Sequence, residues 1–447
     1  MAVFHPDLAA RSAPRYTSYP TAAEFSDAVG VRDFAAALDA LQAYERASLY
    51  VHVPYCQDIC WYCGCNTGAV GRMARLDAYV DALIAEIATV AARMRGGVSR
   101  VHFGGGSPNA LSPHHFERIA DAIRKSFRAT PGSEWAAELD PRHLDADFCR
   151  MLADNGVSRV SLGAQTFDLG VQARINRLQP FRIVARCADQ LRRAGIADIN
   201  LDLMYGLPGQ TLDSIASTIT LARDLGASRV AMFGYAHLPR LLPRQRMIVD
   251  ADLPDAGARF WQSALARDLW LEAGFEAIGF DHYAQPGDKL AIAAAEGRLR
   301  RNFQGFTDDD ATAVIGLGPS SISQFPTLIA QSEKHVGRYR MKVANGQFAT
   351  AKGVVRSPDD QRRSAVIERL LCYGRADLTD MGWQPVEAAR VMADAAPALA
   401  DLEKRGLVER RGQEIVVTPA GGPYARLAAL AFDAFRSASA GQFSQAV

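Results

Sequence analysis

Tyr50-Val-His-Val-Pro-Tyr-Cys56-Gln-Asp-Ile-Cys60-Trp-Tyr62-Cys63-Gly-Cys65 decides how the rest of this chain is read. An apolar run ending at Val53 predicts a strand, so the thiols sit on the loop that leaves it. Cys56, Cys60 and Cys63 stand at C-x3-C-x2-C spacing. Three thiolates on one tight loop can converge on a metal centre but leave a fourth position open. A closed structural zinc site takes four ligands, and Cys65 would be the candidate fourth. A four-iron cluster held by three protein thiolates instead keeps one iron available. Cys149, Cys187 and Cys372 are scattered. No regular disulfide framework is visible, which fits a reducing compartment and a cytoplasmic protein.

Outward from that loop, short β-rich runs alternate with helical stretches. The runs are 48–53, 100–103, 135–139, 159–163, 200–204 and 229–233, with a seventh expected at 276–280. Between them lie patterns such as 76–94, where Val80, Leu83, Ile84, Ile87 and Val90 recur at helical spacing. Strand–helix alternation implies a parallel sheet, doubly wound or curled into a barrel. Polar and glycine residues mark the strand ends. Gly104, Gly105, Gly106 and Ser107 follow the second run, Glu138 and Asp140 the third, and Gln165 the fourth. Asp202 lies in the fifth, and Tyr235, Ala236 and His237 follow the sixth. Successive polar strand ends describe the functional face of a (β/α) barrel. The expected class is α/β, a partial (β/α) barrel of parallel strands. Asp202 stands out, because a carboxylate inside the apolar run 199–204 is costly to bury unpaired. Gly104 to Gly106 would let backbone approach a ligand closely. They belong to neither a dinucleotide-binding nor a Walker pattern.

With 447 residues the chain has room for two or three domains. A hydrophobic fraction of 49% and a charged fraction of 22% are those of a soluble globular protein. A net charge of +1 gives no global argument for nucleic acid or membrane, and no apolar run has transmembrane length. Residues 1–23 lack the apolar core of a secretion signal. Arg11, Ser12 and Arg15 are compatible with a transit peptide, whereas Asp7 and Pro14 speak against one. From Pro326 strand alternation is expected to end. Helices are predicted at 366–373, 385–393 and 397–405, with Pro385 and Pro397 at first helical positions. A hairpin then starts at Gly406, and a polar tail follows Phe435. Helices followed by a β wing suggest a winged-helix-like C-terminal domain. Glu403, Glu409 and Glu414 interrupt any basic DNA face, so a lid over the barrel is the preferred reading. The expected organisation is an arm over 1–44, the barrel over 45–325 and the helical lid over 326–447.

Several motifs resemble the oxygen-independent coproporphyrinogen III oxidase family of radical S-adenosylmethionine (SAM) enzymes. They are Arg15-Tyr-Thr-Ser-Tyr-Pro-Thr21, Cys63-Gly-Cys65-Asn66, Gly104-Gly-Gly-Ser-Pro108 and Asp202-Leu-Met-Tyr-Gly-Leu-Pro208. Tyr235-Ala-His-Leu-Pro239, Asp281-His282 and Arg301-Asn-Phe-Gln-Gly305 belong with them, so the resemblance runs from about Arg15 to Phe435. It implies a [4Fe-4S] cluster on Cys56, Cys60 and Cys63, with Cys65 nearby but not a ligand. It implies two SAM molecules. Tyr50, Tyr62, Gly105, Glu138 and Ile322 match positions around the first, and Tyr50 is also the candidate catalytic side chain. Gly106, Ser107, Gln165, Arg177, Asp202 and Ala236 match positions around the second. The implied reaction is oxidative decarboxylation of two propionates of coproporphyrinogen III through a 5′-deoxyadenosyl radical, in heme biosynthesis. An unidentified electron donor and acceptor would serve it, and the enzyme is expected to be a monomer. Arg15, Arg246 and Arg301 are candidates for pairing with substrate carboxylates. Alternatives are a related heme-binding chaperone, another porphyrin-modifying radical enzyme, or a winged-helix regulator. Ser107, Asp308 to Asp310 and Gly374 depart from the expected pattern. The last two departures question the substrate lid.

Overall fold

The computed structural model describes residues 3–71, 73–436 and 443–446. Six parallel strands follow one another: β1 Arg46–Val53, β2 Gly97–Gly105, β3 Ala129–Leu139, β4 Val157–Gln165, β5 Asp198–Tyr205 and β6 Arg229–Gly234. Each pairs with the next, and each contains the run expected from the sequence. The intervening helices pack one apolar face on the sheet. Met73–Ala91 buries Leu76, Val80, Leu83, Ile87 and Val90, a stripe at helical spacing. Side-chain caps fix several helix starts. Ser112, Asp145 and Thr211 accept from the N–H groups of His115, Phe148 and Ser214. Each cap stabilises its helix by about 1 kcal/mol.

The seventh expected strand differs. Glu276–Ile278 is antiparallel to His282–Ala284, which in turn runs antiparallel to β6. The chain reverses within three residues there, and such a short reversal yields only antiparallel pairing. Gly279 permits it, with φ +59° and the Phe306 ring 2.0 Å from where a Cβ would stand. The seventh parallel strand is β7, Ala313–Leu317, which pairs with the opposite side of β1. Strand alternation does not end at Pro326 either. Ile322–Gln324, Leu328–Ser332 and Thr350–Val355 add antiparallel strands beyond β7, giving one sheet of 12 strands. The helix Val31–Ala40, within the segment expected as an arm, covers this extension. Its Phe34 meets Phe325 and Phe348 edge-on at 5.7 and 5.1 Å.

The C-terminal region is helical with a small sheet. Helices Pro358–Tyr373 and Pro385–Lys404 pack beside strands Arg375–Asp377, Val408–Arg411 and Glu414–Val417. Pro385 occupies a first turn as expected, but Pro397 lies inside one continuous helix. A proline there costs about 3 kcal/mol. It is tolerated because Pro397 is exposed while Val391, Ala395, Leu399 and Leu402 bury an unbroken face. The N-terminal Leu8, Ala13, Tyr16 and Tyr19 join this second core. Tyr16 Oη donates to Asp433 at 2.9 Å. Residues 437–442 and 447 of the polar tail lie outside the described residues, as do residues 1 and 2. Among the described residues no helix is long and apolar enough to cross a membrane.

Candidate active site at the strand ends

The sheet is curved, because the ends of β1 to β6 converge on one cavity of about 440 Å³. Cys56, Cys60 and Cys63 reach it from the loop after β1, and Gly105, Gly106 and Ser107 from the end of β2. Glu138 and Asp140 come from β3 and its exit. Gln165, Asp202 and Ala236 come from the ends of the next three strands, and Tyr62 and Arg177 complete the wall. Tyr50 and Ile322 lie outside it. Tyr50 is nevertheless linked to it, since its ring stacks 5.9 Å from His102, whose Nε2 lies 2.9 Å from Glu138 Oε1. Ile322 begins the strand antiparallel to β7, paired with Gln331.

The glycine run also has a structural requirement of its own. A Cβ on Gly104 would stand 2.7 Å from the Glu138 carboxylate, one on Gly105 2.6 Å from the His52 ring, and one on Gly106 2.4 Å from the Tyr55 carbonyl. These glycines make room for protein groups that shape the cavity. Gly105 has φ +105° besides, a region that disfavours side chains. Gln165, with φ +63°, is a buried non-glycine residue in the left-handed region at the end of β4. Such strain is held by surrounding structure and collects at functional sites.

All seven cysteines are free thiols. Arg142 and Arg177 donate to Cys60 Sγ at 3.4 and 3.2 Å, and Cys56 Sγ lies 3.2 Å from Thr67 Oγ1. The Cys65 N–H donates to Cys63 Sγ at 3.3 Å. With the Cys65 thiol also donating, Cys63 is pulled down to about 6, toward the thiolate that binds metal. Among the described residues no three His, Cys, Asp or Glu side chains converge on a single-ion position. Thiols spaced around a shared wall suit a cluster, each taking a different corner. The donor set therefore fits a three-thiolate iron–sulfur cluster.

Two of the carboxylates that line the cavity, Asp140 and Asp202, stand in opposite environments. Burial would raise Asp140, but Arg177 and Arg142 bring it down to about 2. Arg142 Nη2 donates to Asp140 at 2.6 Å and Arg177 Nη1 at 3.2 Å. Asp202 is pushed up to about 6 by burial, against hydrogen bonds from Ser161 Oγ at 2.7 Å and Asn200 Nδ2 at 2.8 Å. Arg177 Nε is buried without a protein partner, a donor left for a ligand.

A family model for the radical SAM superfamily matches residues 50–222. The chain is 42% identical over 423 residues to the oxygen-independent coproporphyrinogen III oxidase of Bradyrhizobium diazoefficiens, covering 94% of each. Its counterpart in Escherichia coli is 37% identical over 444 residues, covering 98% of this chain and 96% of the relative. The chain belongs to the oxygen-independent coproporphyrinogen III oxidase family. A solved structure of coproporphyrinogen III oxidase from Escherichia coli, described as a radical SAM enzyme, matches with TM-score 0.89 at 36% identity. That match covers 94% of this chain and 97% of the other. A [4Fe-4S] cluster and SAM are the cofactors of the superfamily, as the thiol loop predicts.

Within the oxidase framework the three candidate arginines separate. Arg15 lines the cavity. Arg301 does not. It donates from Nε and Nη2 to the Arg15 carbonyl at 3.3 and 3.1 Å and lies over the Phe306 ring at 4.5 Å, so it positions the arm. Arg246 also lies outside the wall and donates to the Pro239 carbonyl at 3.2 Å. Sequence reasoning missed Arg244 and Gln245, which line the cavity from the turn Pro243–Met247. Gln245 Nε2 ties the carbonyls of Tyr62 and Ala236 together at 2.9 and 3.0 Å. An irregular turn carries no periodic signal that would have exposed them. The departures have structural explanations. Asp308 and Asp310 pair with Arg100 and Arg46 at 2.8 and 2.6 Å, away from the cavity. Gly374, with φ +65°, is the left-handed cap of Pro358–Tyr373.

Proposed function

We propose that this chain converts coproporphyrinogen III to protoporphyrinogen IX by oxygen-independent oxidative decarboxylation of two propionates to vinyl groups. The observation that carries this reading is the junction of two sites. A small pocket lined by Arg15, Arg259 and Arg426 shares Arg15 and Gly234 with the cavity that holds Cys56, Cys60 and Cys63. Among the described residues that line it, Asp281 is the one acidic side chain. Burial and the neighbouring Arg15 bring Arg426 down to about 10 and lower Arg259. Arg426 donates from Nε and Nη1 to the carbonyls of Ala446 and Ala13 at 3.2 and 3.1 Å, so Arg15, shared with the cavity, is the arginine offered to a substrate carboxylate. The tetrapyrrole has four carboxylates, so one can meet Arg15 while another faces the cluster end.

Cys56, Cys60 and Cys63 would hold the cluster. Tyr62, Gly105 and Glu138 would face the SAM on it, with Tyr50 and Ile322 supporting from behind. Gly106, Ser107, Gln165, Arg177, Asp202 and Ala236 would bound a second SAM. When bound, cluster and SAM supply hydrogen-atom abstraction from carbon by one-electron cleavage of the sulfonium. The protein's part is to orient the propionate and keep water out. Tyr16 and Tyr19 anchor the arm on the C-terminal core, which holds Arg15 over the cavity. We read the enzyme as a monomer. Seven free thiols suit a reducing cytoplasm. Neither nucleic acid nor membrane is required, only an external electron donor and acceptor.

The test is anaerobic reconstitution with iron, sulfide, SAM, reductant and coproporphyrinogen III. Protoporphyrin should appear after oxidation, and the tetramethyl ester of the substrate should not be converted. Tight heme binding with no conversion would favour the chaperone reading instead.

A further inference from the structure

The wall between the cavity and solvent is thin at Cys56. Tyr55–Cys56 pairs in parallel with Gly68–Ala69, and both of those residues are exposed. Thr67, 3.2 Å from Cys56 Sγ, lines the cavity on one side and a groove of about 590 Å³ on the other. The groove is open to solvent and cationic. Arg75, Lys334 and Arg340 line it and are exposed, and no aspartate or glutamate is among its lining residues. The adjacent carboxylate, Glu333, is buried and already accepts from Arg338 at 3.2 Å and from the His335 N–H at 3.0 Å. Tyr55, on the groove wall, has a buried hydroxyl without a hydrogen-bond partner. Asn66 Nδ2 donates to the Lys334 carbonyl at 3.1 Å, which ties the cationic rim to the thiol loop.

We propose that this groove is the docking surface for an acidic one-electron carrier protein that reduces the cluster past Thr67 and Cys56. The proposal rests on the reading of Cys56, Cys60 and Cys63 as cluster ligands. One electron leaves the reduced carrier and enters the oxidised cluster; no atom or group is transferred. Electron transfer slows steeply with distance, and here a single ribbon separates groove from thiol. Cys60 offers no equal approach, since it is buried behind Arg142 and Arg177. Among the described residues these three cations have no ion-pair partner, and they steer a negatively charged partner protein, so association depends on ionic strength.

The experiment follows bleaching of the cluster absorption after anaerobic mixing of the holoenzyme with either flavodoxin hydroquinone, as the acidic carrier, or dithionite. The triple variant Arg75→Glu, Lys334→Glu, Arg340→Glu should be reduced by flavodoxin at least tenfold more slowly at low salt. Its dithionite rate should match that of the unaltered protein. The unaltered protein should lose its flavodoxin rate as salt rises. If the triple variant fails to take up a cluster, the single variant Lys334→Glu and that salt profile decide the matter. A flavodoxin rate indifferent to both charge reversal and salt overturns the docking surface. A protein that dithionite cannot bleach would instead show that the cluster assignment itself is wrong.

Discussion

The two ends of the barrel carry similar charges and use them oppositely. Toward the strand starts, Arg100 pairs with Asp308 at 2.8 Å, Arg159 and Lys289 pair with Glu134 at 2.9 Å each, and Ser48 Oγ donates to Asp309 at 2.5 Å. These groups pair with one another and plug the barrel, although Arg159 Nε is left buried without a hydrogen-bond partner. At the strand ends, Asp140 is brought down to about 2 while Asp202 is pushed up to about 6. There the cavity also keeps a buried Arg177 Nε without a partner. Mutual pairing marks the end that stabilises. Carboxylates with opposed environments around open volume mark the end that reacts. Substitutions at the two ends should therefore separate activity from stability.

The largest effect on activity is expected from Cys60→Ala. It should remove the cluster absorption and lower SAM cleavage at least a thousandfold, because two thiolates do not hold the cluster. Metal-free variant and metal-free parent should unfold at similar urea concentrations, since Asp140 still answers Arg142 and Arg177. Cys65→Ala should retain most of the cluster. A reversal between Cys60 and Cys65 would break the ligand assignment.

The mirror-image substitution is Arg100→Ala at the plugged end. It leaves Asp308 and Glu134 partly buried with fewer partners, a change that costs about 3 kcal/mol in such settings. Urea unfolding should show the loss, while turnover per folded molecule stays unchanged. The pH dependence has a definite sign. Burial works against Asp308, but the Arg100 hydrogen bond and charge bring its carboxyl from 3.8 to about 2. The pair's contribution is thus complete above the ordinary carboxylate range and is lost as pH falls toward about 2. Asp308→Asn should flatten that acid limb. Equal stability of parent and Arg100→Ala at neutral pH would remove the plug from the comparison.

The reacting end was largely legible in the sequence and the plugged end was not. Cysteine spacing, glycines and polar residues sit beside strand ends, where the period of the neighbouring run announces them. Glu138, Gln165 and Asp202 could each be placed by counting from a strand, whereas Tyr62 came only from the resemblance of the cysteine loop. The plug is made across long separations. Asp308 is 208 positions from Arg100, and nothing local distinguishes Asp308-Asp309-Asp310 from an acidic loop. The turn at Gly279 was missed for a related reason, since apolar residues on both sides read as one strand until Phe306 fixes the reversal. Pro397 shows packing overriding a local signal.

The smallest expected effect joins the two measurements in one residue. Asp202 is pushed up to about 6 by burial, so the folded protein holds its proton where the unfolded chain has lost it. Stability should therefore decline as pH rises from the ordinary carboxylate range through about 6, and stay lower above it. Asp202→Asn keeps the size and hydrogen-bonding capacity toward Ser161 and Asn200 but has no charge to desolvate. Its metal-free form should lose this slope and melt slightly higher than the parent at pH 8. Cluster uptake should persist, because Cys56, Cys60 and Cys63 are untouched. Turnover should nevertheless fall, since the carboxylate would no longer face the proposed second SAM. Thermal melts at pH 5 and 8, beside turnover at pH 8, test both statements. An Asn variant with the parent's pH slope would show that Asp202 does not titrate in this window. One with parental turnover would move Asp202 from the reacting end to the group of residues that merely support it.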